Sequence, residues 1–372
     1  MHYLDNSATT PLCEQVKSAL LSSADNFGNP SSLHILGMNA AEILDKARLN
    51  LANILKAKTD EIYFTSGGTE ANNLAVFGVA KALKKQKRHF ITTLIEHHSV
   101  LNCFKELENE GFCVTYLEPD ENGVITAQKV KSALREDTAL VSVMAVNNEV
   151  GSVMNIKEIA QCVHSNSSAY FHSDCVQALG KIDIANSGAD LISVSGHKIH
   201  APKGIGALYV KKGTKIKPVL LGGGQEKSLR SGTESTLLIS ALGEAVKALP
   251  DINAEYEKIR ILQKEAISGL LKIDSVVINS KPDNLPYIIN FSLPGLPSEV
   301  MLHALESRQV YISSGSACAK REKSHVLKAM KKSDEIINSA VRVSFSRFTT
   351  REDIKALIEG VEYASKLIRR KV

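Results

Sequence analysis

The sequence predicts an α/β protein with a doubly wound, mainly parallel sheet, followed by a smaller α+β domain. Between about residues 60 and 210, short β-rich runs alternate with amphipathic stretches of helical length, which is the pattern of a parallel sheet covered by helices. A glycine-rich turn at residues 222–224 and a helical stretch over residues 235–271 separate this region from the last hundred residues. Strands and helices are mixed in that last region, as in an α+β domain.

Local sequence patterns predict the individual elements. Runs rich in β-branched and aromatic residues predict seven strands in the first region, at residues 62–65, 90–93, 114–117, 140–144, 170–173, 191–194 and 207–210. Apolar residues at three- and four-residue spacing predict crossover helices at residues 71–83, 100–110 and 156–165. The helical stretch over residues 235–271 is interrupted near Pro250.

The last region contains predicted elements of both types. Its strands are expected at residues 276–278, 287–291, 310–312 and 341–345, and its helices at residues 298–307 and 351–369. We therefore divide the chain into an N-terminal segment that packs with the small domain (residues 1–15), a large domain (residues 16–250) and a small C-terminal domain that carries Cys318 (residues 251–372).

Composition and charge exclude several classes of protein. The 372 residues carry 45 Lys and Arg against 40 Asp and Glu, and 44% are hydrophobic, as expected of a globular protein rather than a disordered one. No apolar run approaches the roughly 18 residues that a membrane span needs. The N-terminus has no basic region followed by an apolar core, so we expect a cytoplasmic protein. The basic cluster at residues 84–88 lacks interleaved aromatic residues, and direct nucleic-acid binding is not expected.

The six cysteines lack the spacing of a metal site or a disulfide framework. They are Cys13, Cys103, Cys113, Cys162, Cys175 and Cys318. We expect no metal, and in a reducing compartment each cysteine is predicted to be a small buried residue. Cys318 is the exception, because it lies in a polar, glycine-bearing run and basic residues follow it.

A lysine follows the predicted strand at residues 191–194. Lys198 belongs to the string Ser195-Gly196-His197-Lys198, and ligands of doubly wound sheets bind outside the carboxyl ends of the strands. A desolvated lysine there can form a Schiff base, while Ser195 and His197 could bind a phosphate ester. Taken alone, the string also fits a surface lysine on a loop.

Two further strand ends support the same chemistry. Asp174 ends the strand 24 residues before Lys198, where a carboxylate could keep the ring nitrogen of pyridoxal phosphate protonated. Gly68 and Thr69 belong to a glycine turn that opens a helix, whose first amides can bind a phosphate. The turn lacks the lysine of a P-loop and the G-x-G-x-x-G pattern, which disfavours a nucleotide. A turn-capping aspartate and a simple capped turn are the alternatives.

Two more strand ends carry polar side chains that could serve such a site. His97 lies in Glu96-His97-His98, and an imidazole can stack on a ring or move protons. Asn148 lies in Asn147-Asn148-Glu149. Taken singly, these residues also fit a helix cap and a turn.

In their order and spacing, these motifs resemble the cysteine desulfurases, which belong to the class V aminotransferase group of fold-type I pyridoxal phosphate enzymes. The resemblance covers nearly the whole chain. The matching segments are residues 3–10, 27–34, 66–70, 96–97, 147–149, 172–177, 195–198, 222–226, 230–233, 313–318 and 342–348.

The resemblance implies a role for each matching residue toward the cofactor, pyridoxal 5'-phosphate. Lys198 would bind it covalently and later move the Cα proton of the substrate. Asp174 would pair with the ring nitrogen, Gln177 would contact the ring hydroxyl, and His97 would stack on the ring. The phosphate would be bound by Gly68, Thr69, Ser195 and His197, together with Thr233 from the other subunit of a homodimer.

The resemblance also implies the reaction. Arg342, helped by Asn148, would hold the carboxylate of L-cysteine, and the thiolate of Cys318 would attack the substrate sulfur. Alanine would leave, and Cys318 would keep a persulfide. The basic residues Lys320, Arg321, Lys323 and His325 that follow would favour the thiolate. A sulfur-acceptor protein would then deliver the sulfur to iron–sulfur cluster assembly, or to tRNA or cofactor thiolation.

Two alternatives remain open from the sequence. Another class V reaction, such as selenocysteine lysis, β-elimination or transamination, would use the same cofactor residues and differ only in the role of Cys318. A scaffold role in a sulfur-transfer complex is the second alternative. Its sequence support is the short loop of five residues between Cys318 and Ser324.

Overall fold

The computed structural model describes residues 1–314 and 323–368. Its strands are β1 (His2–Tyr3), β2 (Ile62–Thr65), β3 (His89–Thr93), β4 (Cys113–Leu117), β5 (Thr138–Ser142), β6 (Tyr170–Asp174), β7 (Leu191–Ser195), β8 (Gly206–Val210), β9 (Val277–Ile278), β10 (Ile288–Ser292), β11 (Val310–Tyr311) and β12 (Ala340–Ser344). Every predicted strand is present, with its ends displaced by at most two residues.

The helices include all those predicted from the sequence. They are α1 (Glu14–Ser23), α2 (Ile35–Leu55), α3 (Gly68–Leu83), α4 (His98–Asn109), α5 (Ala127–Ala133), α6 (Ile156–Asn166), α7 (Thr236–Lys247), α8 (Ile252–Leu270), α9 (Ser298–Glu306), α10 (His325–Ala329), α11 (Asp334–Ser339) and α12 (Arg351–Ile368). The predicted end of the last helix, residue 369, lies outside the described residues. No helix in the described ranges is both long and apolar enough to cross a membrane.

Seven strands form the large sheet, in the order β2-β8-β7-β6-β5-β3-β4. Strand β8 is antiparallel to β2 and β7, and the other neighbouring pairs are parallel, which confirms the predicted mainly parallel sheet. Strands β5 and β7 are buried along their whole length, as expected when helices cover both faces. The strand order reverses between β3 and β5, and a crevice at such a reversal is the usual ligand site of this architecture.

The N-terminal segment is bonded to the C-terminal strands. Strand β1 pairs with β11, and the amide of Leu4 donates to the carbonyl of Tyr311 at 2.9 Å. Further along, the amide of Ser7 donates to Ser344 Oγ at 2.8 Å, at the end of β12. Strands β12, β10 and β9 form an antiparallel sheet of their own. These bonds hold residues 2–7 against the C-terminal strands β11 and β12.

The prediction that the cysteines are buried is wrong for two of them. Cys13, Cys103 and Cys175 are buried, whereas Cys162 is half-buried and Cys113 is exposed. Cys113 is the first residue of β4, the edge strand of the large sheet, and burial along this strand increases from Cys113 to Leu117, so the thiol lies at its exposed end. Arg135 Nη1 donates to its sulfur at 3.1 Å.

A buried ion pair holds the turn that follows residues 222–224. Arg48 of α2 donates to both carboxylate oxygens of Glu226, at 2.9 and 2.7 Å, and the amide of Phe64 donates to the same carboxylate at 2.8 Å. Glu226, Lys227 and Ser228 all have positive φ angles, of 46°, 55° and 64°. Because such backbone is costly for residues other than glycine, the turn depends on the side-chain contacts that fix it.

We expect Arg48→Met to destabilise the protein strongly, because the substitution leaves the Glu226 carboxylate buried without its cation. Removing one partner of a buried pair costs about 3–5 kcal/mol. The midpoint of urea unfolding, followed by circular dichroism, measures the effect. The control is Lys46→Met on the same helix, since the Lys46 pair with Glu42 is exposed and its loss should leave the midpoint unchanged. Equal midpoints for the two variants would contradict the role given to the buried pair.

Candidate active site

A cavity of about 430 Å³ lies at the carboxyl ends of the parallel strands. Ten of the residues predicted from the sequence line it: Gly68, Thr69, His97, Asn148, Asp174, Gln177, Ser195, His197, Lys198 and Arg342. They come from the ends of β3, β5, β6 and β7, from the start of α3 and from β12. Since these elements are far apart in the chain, their meeting in one cavity is a property of the fold.

Lys198 ends a short helical turn that directly follows β7. Its Nζ donates to the carbonyls of Ser7 and Ala8, at 2.5 and 2.8 Å. The N-terminal segment is therefore part of the cavity wall, and it supplies two oxygen atoms that hold the hydrogen atoms of the amine.

Asp174 ends β6 and is buried. Its Oδ2 accepts a hydrogen bond from Asn72 Nδ2 at 2.8 Å, and its Oδ1 accepts one from the amide of Val176 at 2.9 Å. These two bonds fix the plane of the carboxylate at the cavity wall. Asn72 lies on α3, so the helix that opens at the glycine turn also positions the carboxylate.

The first turn of α3 faces the cavity. The helix begins at Gly68, three residues earlier than predicted, because the glycine turn itself forms the first helical turn. Its N-cap residue, Gly67, provides no side-chain hydrogen bond to the first amides. A Cβ atom on Gly68 would stand 2.7 Å from Val176 Cγ2, so only glycine allows this close approach. An uncapped helix N-terminus of this kind binds anions.

Two histidines beside the cavity are held in the neutral form. Burial and the positive charge of Lys198 lower the pKa of His197 to about 4. Burial also lowers the pKa of His97, against the opposing effect of Asp174. His97 Nδ1 accepts from the amide of Ser99 at 3.1 Å, so the hydrogen of the neutral ring is on Nε2. His97 is thus an oriented, uncharged imidazole at the start of α4.

Arg342 is buried within β12. Its Nη2 bonds to Asp5 Oδ1 at 2.8 Å, and its Nη1 donates to the carbonyl of Asn148 at 2.9 Å. Its Nε is buried and has no hydrogen-bond partner among the described residues. The side chain is therefore fixed at two of its nitrogens and keeps donor capacity beside the cavity.

Two predicted site residues are not in the cavity that the structure describes. Thr233 is exposed and is not among the described residues that line the cavity. Cys318 lies outside the described residues.

Several residues of the site were missed by the sequence analysis. They are Asp5, Ser7, Ala8, Asn72, His98, Glu149 and His325. Glu149 is buried, which raises the pKa of its carboxyl to about 7 although Ser324 Oγ donates to it at 2.5 Å. Asp5, Ser7 and Ala8 lie within the motif at residues 3–10, so their string was noticed although their contacts were not. His325 was noticed as one of the basic residues after Cys318 but not as part of the cavity, and Asn72 carries no sequence signal, because its contact with Asp174 depends on tertiary packing.

Comparisons with known proteins agree with this architecture. The family model for class-V aminotransferases matches residues 2–357. "Cysteine desulfurase IscS" of Methanosarcina thermophila is 42% identical, over 98% of this chain and 92% of the relative. "Putative cysteine desulfurase IscS 1" of Bacillus subtilis is 43% identical, over 96% of this chain and 97% of the relative.

Solved structures give the same result. A NifS-like protein superposes with a TM-score of 0.92 at 32% identity, over 99% of both chains. A structure described as SspA in complex with cysteine superposes with a TM-score of 0.84 at 36% identity, over 94% of this chain and all of the other. With these matches over nearly its full length, the chain belongs to the class-V aminotransferase family and, within it, to the cysteine desulfurases.

Proposed function

We propose that this protein converts L-cysteine to L-alanine and transfers the sulfur to Cys318 as a persulfide. The observation that carries the proposal is that Lys198, Asp174 and the uncapped start of α3 meet in the same cavity. The relatives of this chain are named cysteine desulfurases. The family uses pyridoxal phosphate.

The cavity matches the parts of pyridoxal phosphate one by one. The N-terminus of α3, with Thr69, Ser195 and the neutral His197, suits the dianionic phosphate. The oriented carboxylate of Asp174 suits a protonated ring nitrogen, and Lys198 is the amine that would hold the cofactor covalently. The uncharged ring of His97 would stack on the cofactor ring, and the amide of Gln177 would meet its hydroxyl.

Lys198 is proposed to take the proton from the substrate Cα. The carbonyls of Ser7 and Ala8 already accept hydrogen bonds from its Nζ, so they stabilise the ammonium form that proton transfer produces. Bound pyridoxal phosphate supplies an electron sink for the negative charge that is left on the substrate.

Arg342 is proposed to bind the substrate carboxylate. Asp5 and the carbonyl of Asn148 hold the guanidinium from one side, so it does not need to reorganise when the substrate arrives. Nη1 and Nη2 each carry a second N–H beside the one used in these bonds, and these supply the donors for an incoming carboxylate. The planar guanidinium matches a carboxylate better than an ammonium group would.

Cys318 is proposed as the sulfur acceptor. Its thiolate forms a bond to the substrate sulfur, and the bond between that sulfur and Cβ breaks. The electron pair of the broken bond stays with the carbon fragment, which gains a proton and leaves as alanine. The sum of these steps converts one cysteine and one thiol to one alanine and one persulfide, with no external oxidant. An acceptor protein for iron–sulfur cluster assembly or thiolation would then remove the sulfur.

A homodimer completes the proposed site. Thr233 is exposed and follows the turn held by Arg48 and Glu226, so it is available to a second subunit. We propose that its hydroxyl binds the cofactor phosphate of the partner.

We expect Lys198→Ala to abolish covalent binding of the cofactor. Purified wild-type protein given pyridoxal phosphate should absorb near 400 to 420 nm, roughly where protein-bound pyridoxal Schiff bases absorb. Borohydride reduction followed by peptide mass spectrometry should place the label on residue 198. The control is Lys203→Ala, since Lys203 is exposed in the same loop and its loss should leave the band intact. A band that persists without Lys198 would contradict the assignment.

We expect Cys318→Ser to stop persulfide formation and alanine release while the visible band is kept, because the thiolate acts on sulfur and not on the cofactor. Alanine and protein-bound sulfur are measured after addition of L-cysteine. Cys113→Ser is the matched control, since that thiol is exposed but lies on the edge strand β4. Undiminished alanine release would point to another class V reaction, and absence of turnover in the wild type would point to the scaffold role.

The trans role of Thr233 is tested with mixed dimers of Lys198→Ala and Thr233→Asp chains. If Thr233 acts on the partner, one of the two sites in each mixed dimer carries neither substitution, and about half of the wild-type activity per dimer should return. If Thr233 acts within its own chain, both sites stay damaged and mixing restores nothing. Each homodimer alone serves as the control.

A further inference from the structure

A second lysine lies buried directly behind the candidate active site. Lys181 follows β6 and is 8% exposed. It lines a small cavity of about 30 Å³, and Lys198 contributes to the walls of both this cavity and the larger one. Among the described residues, Gln177 Oε1 is the one hydrogen-bond acceptor of Lys181 Nζ, at 3.0 Å. The family motifs described above give Lys181 no role.

The contact determines how the Gln177 amide is turned. A charged lysine nitrogen only donates, so the atom of Gln177 that faces the Lys181 ammonium is the carbonyl oxygen. The other end of the amide, Nε2, donates to the carbonyl of Ser7 at 3.0 Å, and that carbonyl also accepts from Lys198 Nζ. Lys181, Gln177, Ser7 and Lys198 therefore form one hydrogen-bonded chain.

Burial of a charged amine at this position has a free-energy cost that a role in filling space would not explain. The Lys181 amine lies 5.8 Å from the centre of the Tyr287 ring. Burial, together with the charges of Lys198 and Arg342, lowers the pKa of Lys181 to about 7. An apolar side chain of the same length would avoid this cost. Both the charged and the neutral amine have hydrogens to donate, so either form can hold Gln177 Oε1.

We propose that Lys181 is a positioning residue that turns the Gln177 amide so that its NH2 group, and not its oxygen, serves the cofactor side of the site. The inference rests on the proposed function, because the group that Gln177 would meet is the ring hydroxyl of pyridoxal phosphate. The second hydrogen of Nε2 is the donor for that hydroxyl, while Lys181 keeps the competing oxygen occupied.

The test measures binding of pyridoxal phosphate to cofactor-free protein, by titration, and the position of the visible band. The variants are Lys181→Met, Gln177→Met and the double variant. We expect each single variant to bind about tenfold more weakly, as for the loss of one hydrogen bond, and to shift the band in the same way. The double variant should bind pyridoxal phosphate no more weakly than Gln177→Met alone, since Lys181 acts through Gln177.

The matched control is Lys87→Met. Lys87 is also partly buried and donates to a backbone carbonyl, that of Thr138, but it is not among the described residues that line the cavity. Its loss should leave the affinity and the band unchanged. Wild-type affinity in Lys181→Met, or losses that multiply in the double variant, would overturn the proposal. A wild-type protein that forms no band at all would instead refute the proposed function.

Folding is checked by thermal unfolding of the cofactor-free variants. If Lys181→Met does not fold, Lys181→Gln and Lys181→Leu take its place, because the first keeps a donor and the second does not. The proposal then requires Lys181→Gln to keep the band at its wild-type position and Lys181→Leu to shift it. The same band in both variants would overturn it.

Discussion

The site depends on the hydrogen bonds of one short segment, residues 2–10, which joins the C-terminal strands to the large sheet. On one side, β1 and Leu4 bond to β11, and Ser7 bonds to Ser344. On the other side, the amide of Thr10 donates to the carbonyl of His197 at 2.9 Å, next to Lys198. Because the segment is bonded to both parts, it sets the separation between Lys198 and Arg342.

The same segment contributes polar groups to each end of the cavity. Its Ser7 and Ala8 carbonyls bond to Lys198, and its Asp5 carboxylate bonds to Arg342. A single stretch of backbone thus orients both a proposed proton acceptor and a proposed substrate anchor. Such coupling explains why a segment of only a few residues can matter as much to the site as a whole strand of the sheet.

The charges of the cavity form a consistent arrangement. Lys198, Arg342 and the start of α3 are positive, whereas burial keeps His97 and His197 uncharged. Asp174 is the carboxylate that two hydrogen bonds fix at the wall. Cationic groups at Lys198, at Arg342 and at the start of α3, together with the oriented carboxylate of Asp174, would suit a ligand that carries a phosphate, a carboxylate and a cationic ring nitrogen.

The sequence alone predicted every strand except β1, the helices α3, α4, α6 to α9 and α12, and the residues at the strand ends. It did not predict α1, α2, α5, α10 and α11. The spacing of apolar residues shows which face of a helix is buried, and a short continuous apolar run is typical of a strand that is buried on both faces of a parallel sheet. The motif strings also identified ten residues that line the same cavity. Only the tertiary structure decided the contacts between distant segments, such as Asn72 with Asp174, Asp5 with Arg342 and Lys181 with Gln177. Periodicity gives the face of the helix or strand on which a residue lies. A hydrogen bond requires the donor–acceptor distance to be correct to within a few tenths of an ångström, and that distance is set only when all the elements have packed together.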